Sequence, residues 1–276
     1  MIRAAVLTLL LIASGLVLIL PATAGGFEIE SYRNVVLWGI PVLALVLSLV
    51  FFPRLRSPGG EAPGGPARRR LVLLAGCAVA FLADQSFLGF GYLTDQATFT
   101  FGSQELADGQ LAITALWALP LCLALSIWGW ERALRGAVYT GWRRTLPVPA
   151  ALSISVLTGL VLALPPILPA GEVRDLPFVA AALTAALCRE ISFALVFARG
   201  GGLLVAGLYR GLFWFVEAFV VNDWYSLYFP FYNYVTGDPL FYAARAASAL
   251  LGLVVIAAVV RPPRPAAAME SDEEAA

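Results

Sequence analysis

The chain has 276 residues, 60% hydrophobic and only 13% charged, with a formal net charge of zero and a mean hydropathy of +0.83. That balance excludes a soluble globular domain. All 18 basic residues are arginine and histidine is absent, which removes histidine bases, histidine metal ligands and lysine Schiff bases from consideration.

Apolar runs recur along the whole length, and a bilayer needs about 20 such residues per helix. They predict spans at 4–22, 34–52, 71–92, 111–130, 148–169, 178–198, 202–221 and 240–260. Spanning strands are not expected, because no alternating apolar–polar segments occur. The first span follows Arg3 and ends near Ala22, Thr23 and Ala24, which have the form of an A-x-A cleavage site. Residues 1–24 therefore read as a retained first helix or a cleaved signal peptide, and the length of the apolar run favours the helix. Residues 53–70 are rich in Pro, Gly and Arg and read as a flexible loop, and 261–276 as a disordered acidic tail. The expected architecture is all-α: one polytopic membrane domain over 1–260 with about eight transmembrane helices.

Arginine placement gives the orientation. Arg54, Arg56, Arg68, Arg69 and Arg70 fall in loop 53–70, Arg132, Arg135, Arg143 and Arg144 in loop 131–147, and Arg3, Arg199, Arg261 and Arg264 on the same side. Only Arg33 and Arg174 fall opposite, together with most of the loop acids. By the positive-inside rule both termini are cytoplasmic and the protein belongs in the cell membrane.

Six charges lie inside the predicted spans: Asp84, Arg189, Glu190, Arg210, Glu217 and Arg245. Each costs about 2.5–3.5 kcal/mol near a bilayer centre, so each is expected to face protein or water and to have a partner. Glu190 and Arg210 both sit about nine residues from the inner ends of their helices, and Glu217 and Arg245 both about 16. Depth therefore pairs Glu190 with Arg210 and Glu217 with Arg245, leaving Asp84 for Arg189. Gly207 and Gly211 have GxxxG spacing, which predicts close helix contact in a tight bundle of the last three helices. The isolated Cys77, Cys122 and Cys188 read as small core residues, with no CxxC motif.

Before the last span, 222–234 is almost wholly aromatic or polar. Asp223, Trp224, Tyr225, Tyr228, Tyr232 and, further on, Asp238 read as an interfacial belt, or alternatively as a lid over the Glu217 region. The leading functional expectation is a permease or small-molecule carrier whose pathway contains the six buried charges. There the acids exchange protons and the arginines hold an anion. The alternatives are an intramembrane enzyme acting on lipid or lipid-linked sugar, with Asp223 or Asp238 as acid or ligand, and a non-catalytic scaffold. No metal, cofactor or nucleic-acid partner is expected. The bilayer itself and a small-molecule or lipid substrate are the expected partners.

Overall fold

A computed structural model describes residues 2–19, 35–54, 67–99, 110–167, 176–220, 232–234 and 238–260. They are almost entirely helical. The helices are α1 (Ile2–Ile19), α2 (Val35–Phe51), α3 (Ala67–Asp84), α4 (Ser86–Leu93), α5 (Gln110–Leu125), α6 (Val148–Leu162), α7 (Leu176–Val196), α8 (Gly202–Phe215) and α9 (Pro239–Val259). Three apolar runs are long enough to cross a membrane: Arg69–Leu93, Leu176–Phe219 and Pro239–Val259. Shorter apolar helices occupy Ile2–Leu18, Val35–Phe51 and Val148–Leu162. Large apolar side chains such as Val50, Leu82, Leu157, Leu204 and Val254 point outward. Outward apolar faces on helices of this composition are those of a membrane protein.

Prolines and glycines set the boundaries. Pro147 and Pro149 flank the start of α6, where a missing N–H costs nothing. At α9, Asp238 caps the helix by accepting hydrogen bonds from the Leu240 and Phe241 amides, and Pro239 follows it. The run Leu176–Phe219 is not one rod. Gly200 at φ +102° and Gly202 at φ +65° turn the chain between α7 and α8, a conformation open to residues without a Cβ.

Three features depart from the expected loops. Helix α3 begins at Ala67, so the last residues of the expected loop 53–70 are helical; residues 55–66 lie outside the described residues, as does 261–276. Helix α5 does not stop near residue 130. It continues through wide, π-type turns from Ser126 to Tyr139 and closes at Trp142, six residues before α6. Arg135 and Ala137, expected in a cytoplasmic loop, are therefore buried within the bundle. Finally, a short antiparallel pair joins Ala97–Phe99 (β1) to Tyr232–Tyr234 (β2), with Phe99 opposite Tyr232. It ties the segment after α4 to the one before α9.

The packing also differs from a bundle of the last three helices. Helix α9 lies between α3 and α7, whereas α8 runs along α5. Glycines explain the second contact. A Cβ added at Gly207 would come within 2.7 Å of Ile127 Cα, and one at Gly211 within 2.9 Å of Leu123 Cα. The GxxxG stripe thus serves α5 rather than α9. Leu7 and Leu11 of α1 are fully buried against Ile40, Leu134, Val138 and Leu162. A second core gathers Leu73, Cys77, Phe193, Tyr209, Phe213 and Ile256.

Candidate functional site

Helix α7 carries Arg189 and Glu190 in adjacent positions, about 100° apart around its axis. They point into two separate charged quartets. In the first, Arg210 from α8 donates to Glu190 through Nη1 at 2.6 Å and Nη2 at 2.8 Å, and through Nε to Glu131 Oε1 at 2.7 Å. Arg135 Nη2 donates to Glu190 Oε2 at 2.8 Å and to the Glu190 carbonyl at 2.9 Å. Arg135 and Glu131, four apart on the extended end of α5, stand 3.6 Å from each other. All four side chains are buried, and two acids balance two arginines.

The second quartet is Asp84, Arg189, Glu217 and Arg245. Arg189 grips Asp84 through Nη2 at 2.6 Å and through Nε at 3.1 and 3.2 Å, and its Nη1 donates to Glu217. Arg245 Nη2 reaches the same Glu217 oxygen at 3.4 Å. Gln85 donates to Asp84 at 3.0 Å. This quartet is neutral as well. The three pairs inferred from depth are therefore in contact, and each belongs to a larger array.

Aromatic rings pack against two of the arginines. The Arg210 guanidinium lies 4.3 Å from the Phe193 ring centre and 5.3 Å from Trp130, and Arg189 lies 4.7 Å from Phe213. Such contacts favour a cation wherever water is scarce.

Room for Glu190 is made by Gly159 on α6. A Cβ there would stand 2.6 Å from the Glu190 carboxyl carbon. The carboxylate has no freedom to retreat, because two arginines hold it. Gly159→Ala is therefore expected to lower unfolding stability by about 1–3 kcal/mol, read as a fall in melting temperature in detergent. An unchanged melting temperature would mean that the carboxylate moves freely.

The two quartets meet at one cavity of about 130 Å³. Arg189, Glu190, Arg210, Glu217 and Arg245 line it, facing apolar walls that include Leu37, Leu162, Phe178 and Trp214. Of the acids in the quartets, Glu217 is the most open, with its side chain 21% exposed against 3% for Asp84 and Glu190. Asp84 stands behind Arg189 and does not line the cavity.

Sequence reasoning missed Glu131 and Arg135. The sequence ends a span at 130 and puts Arg135 in the loop 131–147, whereas the helix continues with Glu131 and Arg135 one turn apart. The small residues Gly129, Ala133 and Ala137 on the same stretch were the available signal of a packed face. Of the aromatic segment, Asp223, Trp224, Tyr225 and Tyr228 lie outside the described residues, and Tyr232 sits in β2. Asp238 caps α9 and accepts a 2.6 Å hydrogen bond from Gln96. Compared with known protein families, curated proteins and solved structures, the chain matches none.

Proposed function

We propose that the chain is a multi-pass carrier of the cell membrane that takes a small anionic or zwitterionic solute into the cavity between the quartets. The observation that carries this reading is a single cavity with apolar walls, where five charges of both signs are within reach of a guest. A pure scaffold has no need of such a space. Its size limits the solute. A cavity of about 150 Å³ accepts benzene, so 130 Å³ suits a molecule of roughly six non-hydrogen atoms. A lipid-linked sugar is several times larger. That limit favours the carrier over an enzyme working on lipid-linked sugar in this cavity.

The reading includes about eight crossings with both termini cytoplasmic. Folding of Leu176–Phe219 at Gly200 into two packed helices supports the count. The orientation is supported by Arg3, Arg54, Arg143 and Arg144, which all lie at one end of their helices. The cavity is lined from the opposite ends: the start of α2 and α7 and the end of α6. With Glu190, Phe193 and Arg210 also in its lining, it reaches from there to mid-depth.

Orientation is tested with single cysteines in a background lacking Cys77, Cys122 and Cys188. An impermeant thiol reagent applied outside whole cells is expected to label Thr94→Cys and to spare Thr145→Cys, both at exposed positions. The reverse pattern would overturn the orientation. Function is tested on proteoliposomes bearing Ala186→Cys, a cavity position. Small carboxylates and amino acids are applied in turn while transport current is recorded. A transported solute should also slow labelling of that cysteine. If no solute gives a current and the cysteine reacts from neither side, the scaffold reading replaces the carrier.

A further inference from the structure

A second cavity, of about 670 Å³, lies at the other end of the bundle. Its lining includes Arg3 from the first turn of α1, Phe51, Phe52 and Arg54 where α2 ends, and Gly141 and Arg144 where α5 closes. Three guanidinium groups from three separate elements thus converge on one space, and no acid lines it. This contrasts with the interior, where each quartet holds acids and arginines in equal number. Among the described residues no carboxylate pairs with Arg3, Arg54 or Arg144.

The walls are held by bonds that have no part in the first cavity. Arg132 donates to the carbonyls of Phe52 at 3.1 Å and Pro53 at 3.4 Å, fixing the end of α2. Trp142 Nε1 donates to Thr8 Oγ1 at 3.1 Å, fixing α1 against the close of α5. At Gly141 a Cβ would stand 2.6 Å from the Ala4 side chain, so these two elements already touch.

We propose that this cavity binds the phosphate group of an anionic membrane phospholipid. Guanidinium groups match phosphate oxygens in pairs of parallel hydrogen bonds, and basic pockets between helices at the cytoplasmic face select acidic headgroups. The phospholipid is preferred to free phosphate for two reasons. The volume falls in the range of pockets that enclose whole ligands, well beyond a bare phosphate. The apolar side chains of Ile2, Phe51 and Phe52 also lie beside the guanidiniums, where the first carbons of an acyl chain would run.

The test uses the full-length protein in detergent, with thermal unfolding recorded on adding phosphatidylglycerol, phosphatidylcholine or inorganic phosphate. Phosphatidylglycerol is expected to raise the melting temperature by about 5 °C near a hundredfold excess over its Kd, and phosphatidylcholine to leave it unmoved. The rise should vanish in the triple variant Arg3→Gln, Arg54→Gln, Arg144→Gln. It should be at least halved by Arg54→Gln or Arg144→Gln alone, exposed positions whose replacement leaves the lipid-free melting temperature in place. Arg143→Gln, outside the cavity, should keep the full rise. Equal responses to the two lipids, or an undiminished rise in both single variants, would overturn the site. If inorganic phosphate alone reproduces the rise and the variants abolish it, the phosphate chemistry stands and the lipid source is rejected.

Discussion

Glu190→Gln is expected to destabilise the protein by about 3–5 kcal/mol, the largest effect of any single change in the bundle. Glu190 accepts hydrogen bonds from both Arg210 and Arg135. Neutralising it leaves Glu131 to answer two buried guanidiniums, one of them only at 3.6 Å. Adding Arg210→Gln restores electrical balance, because Arg135 and Glu131 remain as a pair. The double variant should therefore recover much of the loss, with a coupling of roughly 1–3 kcal/mol in a double-mutant cycle. Strict additivity would mean that Glu190 and Arg210 are not partners. The measurement is reversible unfolding in mixed micelles, followed through tryptophan fluorescence.

Glu217→Gln should show the opposite profile, with a small loss of stability and a large loss of function. Its side chain is partly open to the cavity, so when the charge is removed Asp84 continues to hold Arg189, and Arg245, which also lines the cavity, is left to water there. On the proposed carrier reading, a guest in the cavity would meet Glu217 where it bridges Arg189 and Arg245. Uptake is expected to fall about 100-fold, equivalent to roughly 2.7 kcal/mol of lost interaction with the solute. The melting temperature should drop less than in Glu190→Gln. If Glu217→Gln unfolds the protein as severely as Glu190→Gln does, the second quartet serves only to hold the helices.

Much of this arrangement was legible in the sequence, for identifiable reasons. Apolar runs and depth along a helix axis are one-dimensional quantities, so they located the helices and matched Asp84 with Arg189, Glu190 with Arg210, and Glu217 with Arg245. What failed was information carried by neighbours. Gly207 and Gly211 announce a close approach without saying to which helix, and the structure supplies α5. Glu131 and Arg135 sit where a span was expected to end, and only the facing Glu190 and Arg210 explain their burial. The strands at 97–99 and 232–234 are each three residues long, too short for a period-two pattern to stand out.

The pairing pattern also constrains how the protein is made. Among the described residues no partner of Arg189 or Glu190 lies on α7 itself, so on the multi-pass reading the helix would enter the bilayer bearing two charges that its own sequence leaves unmatched. The Glu190–Arg210 contact is the most local, spanning 20 residues across the turn at Gly200, whereas Arg135–Glu190 spans 55 and Arg189–Asp84 spans 105. A helical hairpin that leaves the translocon as one unit can neutralise the first pair during synthesis. Arg189 meets Glu217, 28 residues on in the same hairpin, and gains Asp84 only when the earlier α3 comes alongside. A chain whose first helices are misplaced is therefore expected to leave Arg189 and Arg245 sharing the single carboxylate of Glu217, one buried positive charge in excess.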